Sequence, residues 1–386
     1  MWTRIDRATQ DLPAPLAAVD LHALDANADD LVRRARGVPI RIATKSVRCR
    51  AVLERTLARP GFAGLMAYSL AEAVWLVREG ASDVLVAYPS VDARSFREVA
   101  SDEHLARQIT VVIDDPQQLA LIAGSVESGG HPLRVCLDVD ASLRVGPLHL
   151  GVRRSPVHSL DQAMSAARAI TRERAVRLVG LMFYDAQLAG VPDRSTAIRA
   201  MKSLSSRELA RRRPRIVAAL RDVAPIEFVN GGGTGSLDLV ADDASLTEVA
   251  AGSGLFGPTL FDAYRDFTPR PALAYALPVT RRPARNVRTL FGGGYVASGP
   301  AGATRVPTPV LPSGLRLLGA EGVGEVQTPV TGDAAADLSV GDRVWWRHAK
   351  AGEVCERFTT LHLVSADEPS TVTPVPTYRG EGRCFG

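Results

Sequence analysis

The sequence predicts an eight-stranded (β/α)8 barrel, the TIM barrel, followed by a smaller antiparallel β domain. Between residues 39 and 256, eight short β-type segments alternate with longer segments that are mostly amphipathic. The short segments are nearly continuous in Val, Ile, Leu and Ala, which is typical of parallel strands covered by helices. Eight consecutive strand and helix units close into a barrel. After residue 265 the composition shifts to Pro, Gly, Val and Thr, which indicates a second domain.

The eight predicted barrel strands have clear helical segments between most of them. In SLAEAVWLVREGA, Leu70, Val74 and Val77 fall on one face of a helix, and DDPQQLALIAGSVESG begins with acidic residues and Pro116, a helix-start signal. A doubly wound open sheet would alternate similarly, but no GxGxxG motif follows the first strand. The predicted strands are PIRIAT (39–44), AGLMAYS (63–69), DVLVAYP (83–89), ITVVID (109–114), LRVCLDVD (133–140), LVGLMFYD (178–185), IEFVNGG (226–232) and EVAAGSGLF (248–256).

The C-terminal part of the chain predicts a small antiparallel β domain. Short alternating segments such as GDRVWWRHA and RFTTLHLV are separated by turn-forming residues. The early segment LAAVDL is a ninth strand candidate, surplus to the barrel, and could pair with this β domain. We therefore expect an N-terminal segment at 1–22, a barrel domain at 23–265 and a β domain at 266–386.

Composition narrows the class of protein. The 386 residues are 46% hydrophobic and 23% charged, with a net charge of +4 and arginines spread along the chain, so no nucleic-acid partner is expected. No apolar segment approaches the roughly 18 residues of a membrane span, and MWTRIDRATQDL lacks the apolar centre of a signal peptide. We expect a cytoplasmic protein without a membrane partner. The four cysteines are far apart, which argues against a disulfide framework or a zinc ribbon.

Lys45 stands out because only three of the 46 basic residues are lysines. It follows the first predicted strand, and functional groups of such barrels lie at the carboxyl ends of the strands. An arginine remains protonated, whereas burial can make a lysine neutral and nucleophilic. The position therefore predicts a catalytic amine, with a solvated loop lysine as the alternative.

Glycine-rich turns follow the seventh and eighth predicted strands. In FVNGGGTGSLDL, successive glycines allow amide groups to point inward, and Thr234 and Ser236 add hydroxyl groups. AGSGLFG follows the eighth strand, and loops after strands seven and eight commonly bind phosphate in these barrels. A flexible glycine loop is the alternative. An amine and a phosphate site together suggest a cofactor with an aldehyde and a phosphate, of which pyridoxal 5′-phosphate (PLP) is the common one.

The order of these motifs resembles the fold type III, alanine racemase-like PLP enzymes. Within that group it is most similar to the D-threonine aldolase and D-serine dehydratase branch, also described as amino acid deaminase/aldolase. The resemblance extends from about residue 12 to the end of the chain. The motifs that carry it, in order, are the lysine after strand one, DVDASLRVG, LMFYDAQ, VNGGGTGS, EVAAGSGLFGPTLFD and WWRHAKAGE.

The resemblance implies roles for individual residues. Lys45 matches the lysine that forms a Schiff base with PLP and exchanges the α-proton. Arg144 matches an arginine near the cofactor ring, on the O3′ side or at the substrate carboxylate, and Tyr184 matches a tyrosine over the ring face. The other cofactor-binding positions, most of them phosphate donors, are Asn230, Gly232, Gly233, Thr234, Gly235, Ser236, Gly254 and Leu255.

Two positions depart from the family's pattern. Gln187, in YDAQ, is a candidate catalytic residue at the position where the aldolase-like relatives have a histidine, although an amide is not a general base near neutral pH. The relatives bind a divalent metal through a histidine and a residue two positions later, but here His348 is followed by Lys350. An ammonium beside a cation is repulsive, so we expect that this metal site is lost. Lys350 would then supply the positive charge while His348 handles a proton; zinc held by His348 with Cys355 or Glu353 is the alternative.

The leading functional hypothesis is a PLP-dependent lyase that cleaves the Cα–Cβ bond of a D-β-hydroxy amino acid. A D-serine-type dehydratase or deaminase is the near alternative, and an amino acid racemase would need a second base that the sequence does not identify. A non-catalytic PLP-binding protein and a phosphosugar barrel with a catalytic lysine are hypotheses of different classes. The expected partners are an amino acid substrate and a second copy of the chain in a homodimer.

Overall fold

A computed structural model describes residues 1–126, 129–299, 302–350 and 352–385 of the chain. The strands are β1 (Leu16–Asp20), β2 (Ile40–Ala43), β3 (Phe62–Ala67), β4 (Val84–Val86), β5 (Ile109–Ile113), β6 (Leu133–Asp138), β7 (Leu143–Val145), β8 (Leu148–Leu150), β9 (Val176–Phe183), β10 (Phe228–Gly231), β11 (Glu248–Ala251), β12 (Leu273–Ala284), β13 (Val287–Phe291), β14 (Thr308–Leu311), β15 (Arg316–Leu317), β16 (Gln327–Thr331), β17 (Arg343–Arg347), β18 (Thr360–Val364) and β19 (Val372–Pro376).

The helices precede, connect and follow these strands. They are α1 (Trp2–Ala8), α2 (Leu21–Ala35), α3 (Arg50–Leu57), α4 (Leu70–Arg78), α5 (Ala93–Ser101), α6 (Glu103–Gln108), α7 (Pro116–Ala123), α8 (Leu160–Arg172), α9 (Ala186–Ala189), α10 (Thr196–Arg221), α11 (Leu237–Val240) and α12 (Ser253–Phe256). None of the helices in the described ranges combines the length and hydropathy that crossing a bilayer requires.

The chain divides into two compact units. The first unit comprises residues 1–30, 45–56 and 252–384, and the second comprises residues 31–44 and 57–251 together with Phe385. All eight strands of the closed barrel lie in the second unit, whereas β1 and the strands from β12 onward lie in the first.

The second unit is built on a closed barrel of eight parallel strands. Its order is β10-β11-β2-β3-β4-β5-β6-β9, and the pairing of Val249 with Ile40 belongs to the β11–β2 contact. Each of the eight predicted strand segments overlaps one of these strands, and β3 and β9 begin one and two residues earlier than predicted, so the predicted fold class is confirmed. The two strands β7 and β8 form a separate antiparallel hairpin after β6.

An apolar cluster from five barrel strands forms part of the core of the second unit. It contains Leu85, Val112, Cys136, Val179, Met182 and Phe228. The ring of Phe228 has room because residue 180 is a glycine. A Cβ atom at Gly180 would lie only 2.2 Å from the phenyl ring. Overpacking of this kind destabilises a core, so a glycine is required at this point of β9.

A buried ion pair interrupts the apolar character of the barrel strands. Arg41 on β2 donates from Nε and Nη2 to the two carboxylate oxygens of Glu248 on β11, at 2.7 and 2.6 Å. The same guanidinium lies 5.5 Å from the ring centroid of Phe228. The paired, bidentate geometry explains how two charged residues are tolerated in otherwise apolar strands.

Two helices of the second unit, α4 and α7, begin at capping residues. Helix α4 starts after Ser69, whose hydroxyl accepts from the Glu72 amide, and α7 starts at Pro116 after the Asp115 cap. Leu70, Val74 and Val77 are buried on α4, as their spacing predicts. Helical propensity and capping therefore agree with the burial of these segments.

The first unit is built on a mostly antiparallel sheet. Its strand order is β15-β16-β13-β12-β1-β18-β19, and β17 pairs with both β12 and β14. Strand β1 pairs antiparallel to β12 and parallel to β18. The segment LAAVDL thus lies inside this sheet. Its core cluster contains Ile5, Leu16, Ala18, Ala274, Ala276, Trp345 and Val364.

Candidate functional site

Lys45 lies in the first unit, in a single 3₁₀ turn that follows β2 directly in the chain. This turn spans Thr44–Ser46, and the Lys45 side chain is half-buried. A Cβ atom at Gly352 would lie 2.5 Å from the Ser46 carbonyl, so the segment after WWRHAKA packs closely on this turn. Arg48 adds an ion pair to Glu356 at 2.7 Å and donates from Nε to the Lys45 carbonyl. The position of the amine is therefore set by a rigid, tightly packed turn.

The glycine-rich loop of the second unit follows β10. Gly232 has a φ of +75°, which favours glycine, and a Cβ there would lie 2.9 Å from Val240 Cγ2. A Cβ at Gly233 would lie 2.7 Å from the Ala189 Cβ. The loop is closed by two hydrogen bonds, from the Ser236 amide to the Gly233 carbonyl and from the Gly233 amide to the Ser236 hydroxyl. It is thus an ordered turn and not a loose glycine segment.

The side-chain donors of Ser236 and Asn230 form hydrogen bonds to other residues of the protein. The Ser236 hydroxyl donates to the Asp185 carboxylate at 2.9 Å. Asn230 is buried and donates from Nδ2 to Glu248, the partner of Arg41, at 2.8 Å. Their cofactor-binding roles stay predictions, since the side-chain donors of both residues are engaged within the protein.

Tyr184 lies beside the glycine-rich loop. A Cβ at Gly233 would be 3.7 Å from Tyr184 Cε2. The guanidinium of Arg154 lies over the Tyr184 ring at 5.3 Å and over the Tyr88 ring at 5.7 Å. Both tyrosines follow the carboxyl ends of barrel strands, so the fold brings a cation and two rings to the face where such barrels carry their functional groups.

Arg144 is held by an ion pair with Asp140. Burial alone would raise the pKa of Asp140, but hydrogen bonds from Ser142 and the pairing with Arg144 lower it overall. Arg212 on α10 donates to the Asp140 carbonyl at 2.9 Å. The arginine that the resemblance assigns to the cofactor ring therefore sits in a loop anchored by an ionised carboxylate.

Gln187 connects the Arg144 loop to α10. Its Nε2 donates to the Ala141 carbonyl at 2.7 Å and to the Ser205 hydroxyl at 2.6 Å. The Oε1 atom has no hydrogen-bond partner in the described part of the chain. The side chain is buried, and its amide holds these two segments together. Its predicted catalytic role stays a prediction.

Two buried carboxyl groups at the barrel mouth were not predicted from the sequence. Burial raises the pKa of Asp138, at the end of β6, to about 7; repulsion by Asp114 adds to this and the Arg154 charge opposes it. Burial also raises the pKa of Asp114, which follows β5. A signal was present, because two successive predicted strands, ITVVID and LRVCLDVD, each contain an aspartate near their carboxyl end.

His348 is fully enclosed in the first unit. Burial, together with the charge of Arg347, lowers its pKa to about 3, although the backbone of Leu273 opposes the shift. Neither ring nitrogen has a hydrogen bond of good geometry to any described residue. The ring meets Phe256 edge-on at 6.4 Å, and the His348 carbonyl accepts from the Thr259 amide. The segment GSGLFGPTLFD, which follows the last barrel strand, thus contacts His348 of WWRHAKAGE within this unit.

Lys350 and Glu353 both bind the backbone of Ser298. The Lys350 Nζ lies 3.3 Å from the Ser298 carbonyl, and the Ser298 amide donates to Glu353 at 3.0 Å. Cys355 is buried, and burial raises the pKa of its thiol. Over residues 1–126, 129–299, 302–350 and 352–385, no group of three or more His, Cys, Asp or Glu residues could hold a metal ion.

Gly254 and Leu255 lie in α12 of the first unit, after the last barrel strand. Both residues are buried, and the Leu255 carbonyl accepts from Asn27 Nδ2 at 2.9 Å. Lys45, His348 and Lys350 belong to the same unit, whereas Arg144, Tyr184, Gln187 and the Gly232–Ser236 loop belong to the other.

Comparisons with known proteins place these features in a family. Two curated 3-hydroxy-D-aspartate aldolases, from Paracoccus denitrificans strain Pd 1222 and from Paracoccus denitrificans, are 24% and 26% identical over 254 and 255 residues. Each match covers 64% of this chain and 61% of the relative, so the chain spans less than two thirds of their length.

Solved structures share the fold over nearly the whole chain. D-threonine aldolase from Filomicrobium marinum has a TM-score of 0.80 at 21% identity and covers 96% of both chains. D-threo-3-hydroxyaspartate dehydratase from Delftia sp. HT23 has a TM-score of 0.72 at 18% identity, covering 95% of this chain and 97% of its own. The family model for the alanine racemase N-terminal domain matches residues 19–259. Because that match takes in more than half of the sequence, the chain belongs to the alanine racemase N-terminal domain family.

Proposed function

We propose that the protein is a PLP-dependent lyase that cleaves the Cα–Cβ bond of a D-β-hydroxy amino acid. The observation that carries the proposal is the glycine-rich turn at the end of β10, with Tyr184 beside it, in a chain whose first barrel strand leads directly to Lys45. The names of the curated relatives, both aldolases of 3-hydroxy-D-aspartate, support cleavage over other PLP reactions.

The residues present fit PLP. The glycine-rich turn has a positive φ at Gly232, and packing against Val240 and Ala189 leaves no space for a Cβ at Gly232 or Gly233, so the turn is restricted to glycine. Successive backbone amides of a turn of this kind are donors that suit a phosphate. Lys45 provides the amine that would hold the aldehyde carbon, and Tyr184 provides a ring face. When bound, PLP supplies an electron sink for the pair released from the Cα–Cβ bond.

The chain's own residues then divide the remaining work. Lys45 Nζ would hold the aldehyde carbon, and the same amine would carry a proton to or from Cα. Arg144, oriented by Asp140, presents a cation to the O3′ side or to a substrate carboxylate. Burial lowers the pKa of His348, so its ring is neutral at physiological pH, but a buried ring with so low a pKa is a weak base. The proton of the β-hydroxyl group would therefore go to Tyr184 or to a group near His348.

Lys350 supplies the positive charge where the relatives' pattern has a metal ligand. Its ammonium lies at the Ser298 carbonyl, and Glu353 holds the amide of the same residue. An ammonium in this position can stabilise negative charge on the β-oxygen without a metal ion. We therefore propose that cleavage does not depend on an added divalent metal.

Product analysis tests the proposal. Purified protein with PLP is incubated with D-threonine, D-threo-3-hydroxyaspartate and D-serine, and aldehyde and keto acid are assayed separately. We expect an aldehyde and glycine from the first two substrates, unchanged by a chelator, and no product from the Lys45→Ala variant. Keto acid and ammonia would favour the dehydratase alternative instead. Bound PLP without any product, or without α-proton exchange in deuterated water, would favour a non-catalytic PLP-binding protein.

The proposal includes a cytoplasmic homodimer. Phe291 and Val326 are exposed apolar side chains of the first unit, and the Gly292 amide donates to the Val326 carbonyl, so the two lie on neighbouring segments. Val296, five positions after Phe291, is also exposed. Exposed apolar side chains grouped in this way are typical of an interface. All four cysteines are free thiols, which fits a reducing compartment. Light scattering after size exclusion would measure the mass; a monomer at micromolar concentration would contradict the dimer.

A further inference from the structure

A buried hydrogen-bond chain joins Asp185 to the glycine-rich loop. Asp185 follows β9 and is fully buried, 51 positions before its partner Ser236. The Ser236 hydroxyl donates to Asp185 Oδ1 at 2.9 Å, and the oxygen of that hydroxyl accepts from the Gly233 amide at 3.1 Å. A carboxylate at the end of one barrel strand is therefore connected, through one hydroxyl group, to a backbone amide after the next strand in the barrel.

In this hydrogen-bond chain the Ser236 hydroxyl group has no proton left to donate to a ligand. A serine hydroxyl has one proton, which here goes to Asp185, and the Ser236 amide donates to the Gly233 carbonyl at 2.9 Å. Ser236 therefore acts as a link inside the protein. Its contribution to a bound anion must come through the conformation of the loop.

The Asp185 side chain has no local use. It stands immediately before α9, yet within the described residues its carboxylate does not cap that helix. Its Oδ2 atom has no hydrogen-bond partner in the same part of the chain. Burial raises the pKa of Asp185, and the charge of Arg213, which is itself buried and paired with Asp243 at 2.9 Å, opposes this shift. A buried carboxyl group with so few partners is costly, and the hydrogen bond that it accepts at Oδ1 from Ser236 is the interaction that gives it a role.

We propose that Asp185 is a positioning residue that, through Ser236, holds the glycine-rich loop in the conformation that binds the phosphate of the cofactor. This inference rests on the proposed function, because it assumes that the phosphate group of PLP binds this loop. Fixing the Gly233 end of the turn keeps the loop amides in one arrangement before the ligand arrives. Binding then loses less free energy to ordering of the loop.

Loss of the Asp185–Ser236 link should affect only ligands that carry a phosphate group. Lys45 can bind the aldehyde of PLP and of pyridoxal alike, but only PLP carries a phosphate. Loss of the Asp185–Ser236 link should therefore weaken PLP binding and leave pyridoxal binding unchanged. A residue with a merely structural role would weaken both ligands together.

The experiment measures the affinity of the cofactor-free protein for PLP, for pyridoxal and for inorganic phosphate, the last as a competitor of PLP. The variants are Asp185→Ala, Ser236→Ala and the double variant. Ser95→Ala is the matched control, since it removes a buried serine hydroxyl that donates to Asp92 at the start of α5. Thermal unfolding of each variant verifies that it is folded.

We expect PLP and inorganic phosphate to bind roughly tenfold more weakly to each single variant, the effect of one lost hydrogen bond of this kind. Pyridoxal affinity and the control should change less than about twofold. The double variant should match the single variants, because all three break the same link. Ser236→Ala alone decides the question if Asp185→Ala does not fold.

Equal weakening of PLP and pyridoxal binding, or unchanged PLP affinity in a folded variant, would overturn the inference and leave the cofactor assignment intact. Failure of the unmodified protein to bind PLP would instead overturn the proposed function, and the inference with it.

Discussion

The two ends of the barrel handle buried charge in opposite ways. Toward the amino ends of the strands, Arg41 pairs with Glu248, and its Nη1 also donates to the carbonyl of Asp83, which precedes β4. At the carboxyl ends, burial raises the pKa of both Asp138 and Asp114. Repulsion by Asp114 raises the pKa of Asp138 further, and the charge of Arg154 opposes this in part. The cluster around Arg41 stabilises the fold. The cluster around Asp138 contains a carboxyl group whose protonated form is favoured by burial.

This difference matches the division of labour in (β/α)8 barrels. A well-stabilised end lets the other end hold groups in unfavourable states, as functional sites commonly do. Buried charge by itself therefore does not mark a functional site. What marks it is buried charge whose hydrogen bonds and ion pairs do not compensate for its burial.

The largest effect is expected from breaking the Arg41–Glu248 pair. Arg41→Ala leaves Glu248 buried without its bidentate partner, which should lower the free energy of unfolding by about 3–5 kcal/mol. Urea or thermal unfolding measures this loss. Replacing both residues by apolar ones, as in Arg41→Met with Glu248→Leu, should recover most of it. A single variant as stable as the parent would show that the pair does not support the barrel.

Replacing Asp138 is expected to raise the free energy of unfolding, in contrast to replacing Arg41. Its pKa is about 7 in the folded protein and near 3.8 when unfolded, so the folded state binds the extra proton between about pH 4 and pH 7. Stability from this group is therefore lost as the pH rises through that window. Asp138→Asn cannot ionise and should be about 2–3 kcal/mol more stable than the parent protein at pH 8, relative to pH 5.

Unfolding of both proteins at pH 5 and pH 8 measures this difference, and the comparison at pH 5 controls for any change in packing. Turnover in the lyase assay should fall in the same variant, because the carboxyl group lies at the barrel mouth. A stability difference that does not change with pH would contradict the raised pKa.

The smallest effect is expected at a surface ion pair of the same barrel. Arg134 on β6 pairs with Glu227 at 2.6 Å, but the Glu227 side chain is 43% exposed. Water and salt screen such a pair, so Arg134→Ala should change the free energy of unfolding by no more than about 1 kcal/mol. A loss as large as that of Arg41→Ala would show that burial is not what separates the two pairs.

The fold was accessible from the sequence because its signals are local. Each barrel strand is a short apolar segment, and helix starts such as Ser69 and Pro116 depend on neighbouring residues only. The glycine-rich turn was found in the same way, since Gly232 and Gly233 are adjacent in the chain. The same local reasoning suggested Ser236 as a phosphate donor. It could not reveal that the hydroxyl group bonds to Asp185, because a hydroxyl group beside glycines indicates nothing about a partner 51 positions away.

The sequence by itself determined the strand and helix alternation, the glycine-rich turn after β10 and the rare lysine after β2, because these follow from composition and spacing along the chain. Only the tertiary structure decided which polar groups pair with one another: Arg41 with Glu248, Asp185 with Ser236, and Gln187 with the carbonyl of Ala141. Hydrogen bonds and burial depend on distances between segments far apart in the chain. For that reason the raised pKa of Asp138 and the engaged hydroxyl of Ser236 could be seen only once the barrel had closed.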